Sequence, residues 1–268
     1  MRGWGCSGYP DGCREANHSL GGSGHGGDAG AFGYGAGTVF CGQSPKWKEN
    51  PCGDYEYTYQ LNRMEHWAAM CAAYSLTGEQ RYADKVLEEL ENWLDTVPCL
   101  PLFKADGTYN VEAFDECTGW RALEVGIRGF SAWPFLVEHL LDTPGFTEAL
   151  FEKLLYSVYE HCRVLYEISP RLFPAANHNQ YLMENLGLLI FSCIYCDLKD
   201  AEIWKAHAIR ELERCMEQQV TPCGGQRGRS PRETISGTIL PSSVSENRRW
   251  SGSCVCVEPK KIPHPNDG

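Results

Sequence analysis

Between Tyr57 and Val220 apolar side chains return at steps of three and four residues, and no stretch alternates with a period of two. That rhythm sets one face of a helix against a core turn after turn, so the region is predicted to be all-α. Six helices are expected. The first spans Tyr57–Leu76, with Leu61, Met64, Ala68, Cys71, Ala72 and Leu76 inward. Thr77-Gly-Glu-Gln80 reads as a capping box for the second, which carries Tyr82, Val86, Leu90, Trp93 and Leu94 and stops before Pro98. A connection over 101–115 turns at Asp106-Gly107. The third helix runs from about Thr118 to Leu141, kinked at Pro134. Asp142-Thr-Pro-Gly145 separates it from the fourth, Phe146–Tyr166. The fifth opens at Asn177 and continues through the apolar run Leu186–Cys196. Asp200 caps the sixth, Ala201–Gln219, with Ile203, Trp204, Ile209, Leu212 and Met216 inward.

The helices pair into three hairpins, and the hairpins repeat: Asn62, Glu124 and Asn185 fall 62 and 61 residues apart, each on the first helix of its pair. A period near 60 made of helix pairs predicts an incomplete α/α toroid or a solenoid. The first helices are unusual in chemistry. They carry Asn62, Arg63, Glu65, His66 and Trp67, then Trp120, Arg121, Glu124 and Arg128, then the cluster Asn177-His-Asn-Gln-Tyr-Leu-Met-Glu-Asn185. In a toroid these would form an inner ring around a groove. Glu124 and Arg128 also suit a simple i,i+4 pair. The second helices show ordinary solvated charge, such as Glu88-Glu89-Glu91 and Glu211-Glu213-Arg214.

The flanks differ. Residues 1–42 hold 14 of the 28 glycines, so 1–44 is expected to be an irregular segment beside a toroid body over 45–220. No strand is read before these glycines and no Lys-Ser/Thr pair follows, so a phosphate cradle has no support in the sequence. The segment 221–268 carries 7 Lys/Arg against 4 Asp/Glu, where the first 220 residues carry 17 against 31, and it is expected to be an irregular basic tail. A net charge of −11 argues against nucleic acid as partner. No apolar run approaches the roughly 20 residues that membrane insertion needs, and Met-Arg-Gly-Trp-Gly-Cys lacks a signal-peptide core. The 14 cysteines lack regular short spacing and several fall within helical patterns, as buried thiols do. Cys254-Val-Cys256 has no further ligand nearby, so no metal is expected.

The polar cluster at 177–181 opens a buried helix and therefore needs partners. One reading is an N-cap supplied by Asn177 or Asn179 with His178 a satisfied neighbour; the other is a binding site. Three blocks in order favour the second. They are Lys46-Trp47-Lys-Glu-Asn-Pro51 leading to Tyr59-Gln-Leu-Asn-Arg63-Met-Glu-His66-Trp67; Gly119-Trp120-Arg-Ala-Leu-Glu124-Val-Gly-Ile-Arg128; and Asn177-His178-Asn-Gln-Tyr-Leu-Met-Glu184-Asn-Leu-Gly187. Together they resemble the N-terminal domain of heparinase II/III-type polysaccharide lyases, a group that includes alginate lyases. The resemblance implies an α/α toroid followed by a β-sandwich domain. It also implies β-elimination without a cofactor, an acidic polysaccharide partner (heparan sulfate, alginate or similar), and a periplasmic or secreted location. It makes Asn177 and His178 the catalytic pair that neutralises a uronate carboxylate. Asn62, Arg63, His66, Trp120, Arg121, Glu124 and Tyr181 become the expected substrate-binding residues.

The family's Ser-Pro-X-Tyr-His-like stretch, which supplies a proton-transferring Tyr, meets Ser230-Pro231-Arg232-Glu233-Thr234 here, and no Tyr follows Gly225. An incomplete lyase, from a shortened or frame-shifted chain, is the expectation that follows. The rival readings are an inverting glycosidase using two of Glu65, Glu124 and Glu184, and a glycan-binding scaffold without catalysis.

Overall fold

A computed structural model of the protein describes residues 31–34, 37–40, 45–50, 53–115, 119–221 and 225. By contact the chain divides into residues 3–219 and a second unit of residues 1–2 and 220–268. In the second unit the Thr221 amide and hydroxyl both donate to Gly225 O, closing a short turn. Ser230–Thr234 and the Cys254/Cys256 pair lie outside the described residues.

The segment expected to be irregular contains a β-hairpin. Strands β1 (Ala31–Tyr34) and β2 (Gly37–Phe40) run antiparallel, Ala31 opposite Phe40 and Tyr34 opposite Gly37. Aromatic and β-branched residues sit between the glycines here, which suits a pleated ribbon.

The body is all-α. Its first hairpin comprises α1 (Tyr55–Arg63), α2 (Glu65–Thr77) and α3 (Gln80–Thr96). The second comprises α4 (Ala122–Phe130), α5 (Trp133–Leu140) and α6 (Glu148–Glu167). A short α7 (Ser169–Leu172) leads to the third, α8 (Asn179–Ile194) and α9 (Ala201–Gln219). Two helices expected as one are broken. Met64 adopts φ 58°, ending α1 and opening α2, and its buried sulfur takes the Trp133 Nε1–H at 3.3 Å. Pro134 lies in the first turn of α5; without an N–H, and with its ring set against the carbonyl four residues back, it separates α5 from α4. The expected capping box is instead a helix end. Gly78 takes the left-handed conformation that closes α2, and Thr77 Oγ1 accepts from Glu79 N.

Four tryptophans, Trp67, Trp93, Trp120 and Trp133, are buried between the hairpins. His161 of α6 sits among them, its ring 4.4 Å from those of Trp120 and Trp133 and 5.5 Å from Phe191. Its Nδ1–H donates to Ser157 O, and Nε2 accepts from Arg128 Nε at 2.9 Å. Both ring nitrogens are used by the neutral form, and burial together with the Arg128 charge holds its pKa well below the usual histidine value.

The first helices of hairpins two and three touch backbone to backbone. A Cβ on Gly126 of α4 would stand 2.6 Å from Glu184 Cα, and one on Gly129 would stand 2.7 Å from Gly187 O. Glycine in a helix interior costs about 1 kcal/mol relative to alanine. Here the missing side chains permit a crossing that any larger residue would forbid.

Helix α9 is rotated from its expected orientation. Ile203, Ile209 and Met216 are exposed, while Trp204, Ala208, Glu211, Cys215 and Gln219 face inward. The polar members of that inward face have partners, described below, and those partners fix the rotation.

Candidate functional site

After α7 the chain runs through Phe173–His178 before α8 begins. Ala176 is buried with φ 53°, a conformation that costs an alanine about 1 kcal/mol or more. His178, not Asn177 or Asn179, is the N-cap of α8: its Nδ1 accepts from Gln180 N at 3.2 Å. Its ring stacks on Phe173, centroids 4.9 Å apart and planes within 19°. An Nδ1 that accepts leaves the ring proton on Nε2. Asn177 is exposed beside it. The amide, the Nε2–H and the N-terminal field of a 16-residue helix thus favour an anion at this point.

Helix α9 holds the loop from below. Gln219 Nε2 donates to Ala176 O at 2.9 Å and to His178 O at 3.0 Å. Arg214 donates to Pro174 O and, at 2.6 Å, to Glu211, whose carboxylate also accepts the Tyr181 hydroxyl at 2.8 Å. Sequence periodicity placed Glu211 on a solvated face; it is buried, satisfied by Tyr181 and Arg214.

A second cluster lies on the other first helices. Glu124 in the first turn of α4 is fully buried and clamped by Arg63 at 3.1 Å and Arg121 at 3.0 Å. The Arg121 guanidinium lies over the Tyr59 ring at 4.2 Å. The two arginines keep 16% and 14% of their side chains exposed, so this cation pair reaches solvent while its carboxylate does not. Glu184 of α8 faces the same cluster. Burial above all, aided by the Glu124 charge, pushes its carboxyl up to about 8 against the pull of the Ser169 hydroxyl. Its Oε2 has no hydrogen-bond partner among the described residues, as suits a carboxyl held neutral.

Several residues expected to bind substrate are removed from any surface. Asn62 is fully buried; its Oδ1 accepts from Trp93 Nε1 at 3.0 Å and its Nδ2 donates to Trp47 O and Thr58 O. It ties helices together, as does Arg128, which donates to Asn62 O at 2.9 Å and is fully buried over Trp93. Burial lowers the Arg128 pKa to about 9. The expected Glu124–Arg128 pair is thus not the main partnership of either. Trp120 is a core residue donating to Val97 O. Tyr181 is fully buried, and burial with the Glu211 hydrogen bond raises its pKa above the usual phenol value. His66 belongs to a separate group: its Nε2 meets Glu89 at 2.8 Å, where Trp67 Nε1 also donates at 2.7 Å. Burial opposes ionisation of Glu89, yet His66, Trp67 and Lys85 together hold its pKa below the usual value. Sequence reasoning missed Gln219 and Arg214. The one signal was their recurrence with Trp204, Ala208, Glu211 and Cys215 on a helical face less apolar than its neighbour.

This all-α body, with an anion-favouring helix N-terminus, matches the Heparinase II/III N-terminus family over residues 30–233, and the chain belongs to that family. Among its relatives is a heparin-sulfate lyase of Pedobacter heparinus, 27% identical over 190 residues that make up 71% of this chain and 26% of that protein. Another is a heparin-sulfate lyase of Bacteroides stercoris, 24% identical over 193 residues, 69% of this chain and 28% of that one. The chain therefore spans little more than a quarter of these relatives. The crystal structure of heparan sulfate lyase HepC from Pedobacter heparinus superposes with a TM-score of 0.58 at 27% identity, covering 71% of this chain and 27% of that one. A heparinase III structure gives 0.58 at 24% identity, covering 70% and 29%. The three hairpins are accordingly an arc of an α/α toroid.

Proposed function

We propose that this chain is the toroidal portion of a polysaccharide lyase and holds a uronate of heparan sulfate or a similar glycosaminoglycan for β-elimination. The relatives' names favour heparan sulfate over alginate. In that reaction a base removes the C5 proton, the C5–H electron pair becomes the C4–C5 double bond, and the C4–O bond breaks with its electron pair departing on the glycosidic oxygen, which gains a proton. The uronate carboxylate must be neutralised as the carbanion forms. Asn177 donates through its amide and His178 through Nε2–H, and loss of one such preorganised donor typically costs ~10²–10³ in rate. The observation that carries the reading is the exposed Asn177 at the N-terminus of α8, beside a His178 whose Nδ1 accepts from Gln180 N. Arg63 and Arg121 are the proposed contacts for a sulfate or a second carboxylate. The proposal includes export to the periplasm or beyond; among the described residues no helix is long and apolar enough to cross a membrane.

Tyr181 is not the base. It is buried, donates to Glu211, and holds its proton more tightly than an ordinary phenol. The glycosidase reading is disfavoured because Glu124 and Glu184 are both buried, leaving exposed Glu65 without a second carboxylate.

The test incubates the chain with heparan sulfate and with alginate, following ultraviolet absorbance of the unsaturated product and, separately, oligosaccharide binding. A lyase gives absorbance, lost in Asn177→Ala with helicity intact. Binding without turnover, weakened in Asn177→Ala, supports the neutralising role in an incomplete enzyme. New reducing ends without absorbance would favour a hydrolase, and an Asn177→Ala variant with unchanged behaviour would refute the assignment.

A further inference from the structure

We infer that Gln219 is a positioning residue for Asn177 and His178, and that this is why α9 buries a glutamine while exposing Ile203, Ile209 and Met216. The inference rests on the function proposed above.

The geometry is specific. Gln219 is the last residue of α9 and is 7% exposed. Its single amide nitrogen has two protons and gives one to Ala176 O and one to His178 O, at 2.9 and 3.0 Å. The first carbonyl belongs to the peptide that precedes Asn177 and the second to the peptide that follows His178, so the Asn177-His178 pair is held at both ends from one point. Arg214, five residues earlier on α9, donates to Pro174 O. Three alternate carbonyls, of residues 174, 176 and 178, are thus gripped by α9, while the intervening Asn177 stays exposed. Ala176 sits at positive φ, a conformation this loop adopts only under outside constraint. A ligand-binding amide on an unsupported loop would lose its order, and its binding geometry, on release of that grip.

A purely structural stitch would make the same hydrogen bonds, so the test needs readouts at the site. Gln219→Glu keeps the shape but presents oxygen to two carbonyls; Gln219→Met keeps the length and removes both donors without adding charge. Gln218→Glu, on the exposed neighbour, is the control. In the full chain, exchange of the Gln180 amide hydrogen, which the His178 cap holds, is expected to rise at least tenfold in both Gln219 variants. The His178 ring signals by NMR should shift as the cap loosens, and far-ultraviolet helicity and the Gln218→Glu control should stay unchanged. Affinity for a heparan sulfate oligosaccharide should fall about tenfold. Unchanged exchange and ring signals in Gln219→Met would overturn the inference. So would faster exchange with unchanged affinity, because the grip would then serve stability alone. If the wild-type chain binds no oligosaccharide, the proposed function fails by itself, and exchange and ring signals still decide whether Gln219 sets the His178 cap.

Discussion

Replacing Gly126 by alanine sets two effects of opposite sign against each other. In an isolated helix the change stabilises by about 1 kcal/mol. In this fold the new methyl would lie 2.6 Å from Glu184 Cα, 3.0 Å from Met183 O and 3.1 Å from Glu184 N. All three are backbone atoms of α8, so no rotamer can relieve the contact. Restoring ordinary van der Waals distance requires α4 and α8 to part by nearly 1 Å. A gap of that size forfeits a quarter to a half of each dispersion contact along the crossing, and overpacking of this kind typically costs 1–3 kcal/mol, occasionally more. With only backbone atoms to yield, the cost falls at the upper end of that range, about 3 kcal/mol, so the clash should win by about 2 kcal/mol net. At ~2–4 °C per kcal/mol for a domain of this size, Tm should fall by about 4–8 °C. Thermal and urea denaturation followed by circular dichroism measure this directly. Gly145→Ala provides a comparison, because its nearest contact, at 3.0 Å, is the flexible end of the Leu87 side chain, and it should lose less. A Gly126→Ala protein as stable as wild type would refute the backbone-contact reasoning.

Glu184 is neutral in the fold, its pKa raised from 4.5 to about 8. A raised carboxyl stabilises most below its unfolded value and loses that contribution as pH climbs through the folded one. Wild type should therefore weaken between about pH 5 and 8, and Glu184→Gln should flatten that slope and be the more stable at pH 9; parallel pH profiles would count against it. His161 has the opposite sign: its lowered pKa gives stability that is complete above the unfolded value near 6.5 and declines as pH falls below it. Its ring signals should stay those of neutral imidazole as the pH falls through 6.5, and a titration near 6.5 in the folded protein would contradict the Arg128 contact. Asn62→Ala orphans the Trp93 N–H and two carbonyls in the core, and should lower stability by about 2–4 kcal/mol. Oligosaccharide affinity measured on the folded fraction should be unchanged, and a selective loss of affinity would return Asn62 to the groove.

Much of the architecture was legible in the residues. Steps of three and four gave the helices and their pairing, because a helix in a packed body must bury one stripe. The Asn177-His178 cluster stood out because polar groups entering a buried helix demand partners. The breaks at Met64 and between α4 and α5 were not legible in full. A buried methionine in the left-handed region is stabilised by Trp133, 69 residues away, and no local propensity records such a contact. The polar first helices were likewise ambiguous. Asn62 and Arg128 read as groove residues, yet their partners lie in other helices and seal them into the core.

The sequence by itself determined the helical hairpins, their spacing and the family, since these rest on periodicity and on motifs that survive without knowledge of contacts. Only the tertiary structure decided which polar residues build the body and which face solvent. The rotation of α9 shows the reason. Apolar count favours Ile203, Ile209 and Met216 as the buried face, but Glu211 and Gln219 are turned inward. They satisfy Tyr181 and the carbonyls beside Asn177, groups 30 to 43 residues distant in the chain. Buried hydrogen-bonding groups left without partners cost more than exposed aliphatic side chains do, and which groups need partners is settled only when the helices meet.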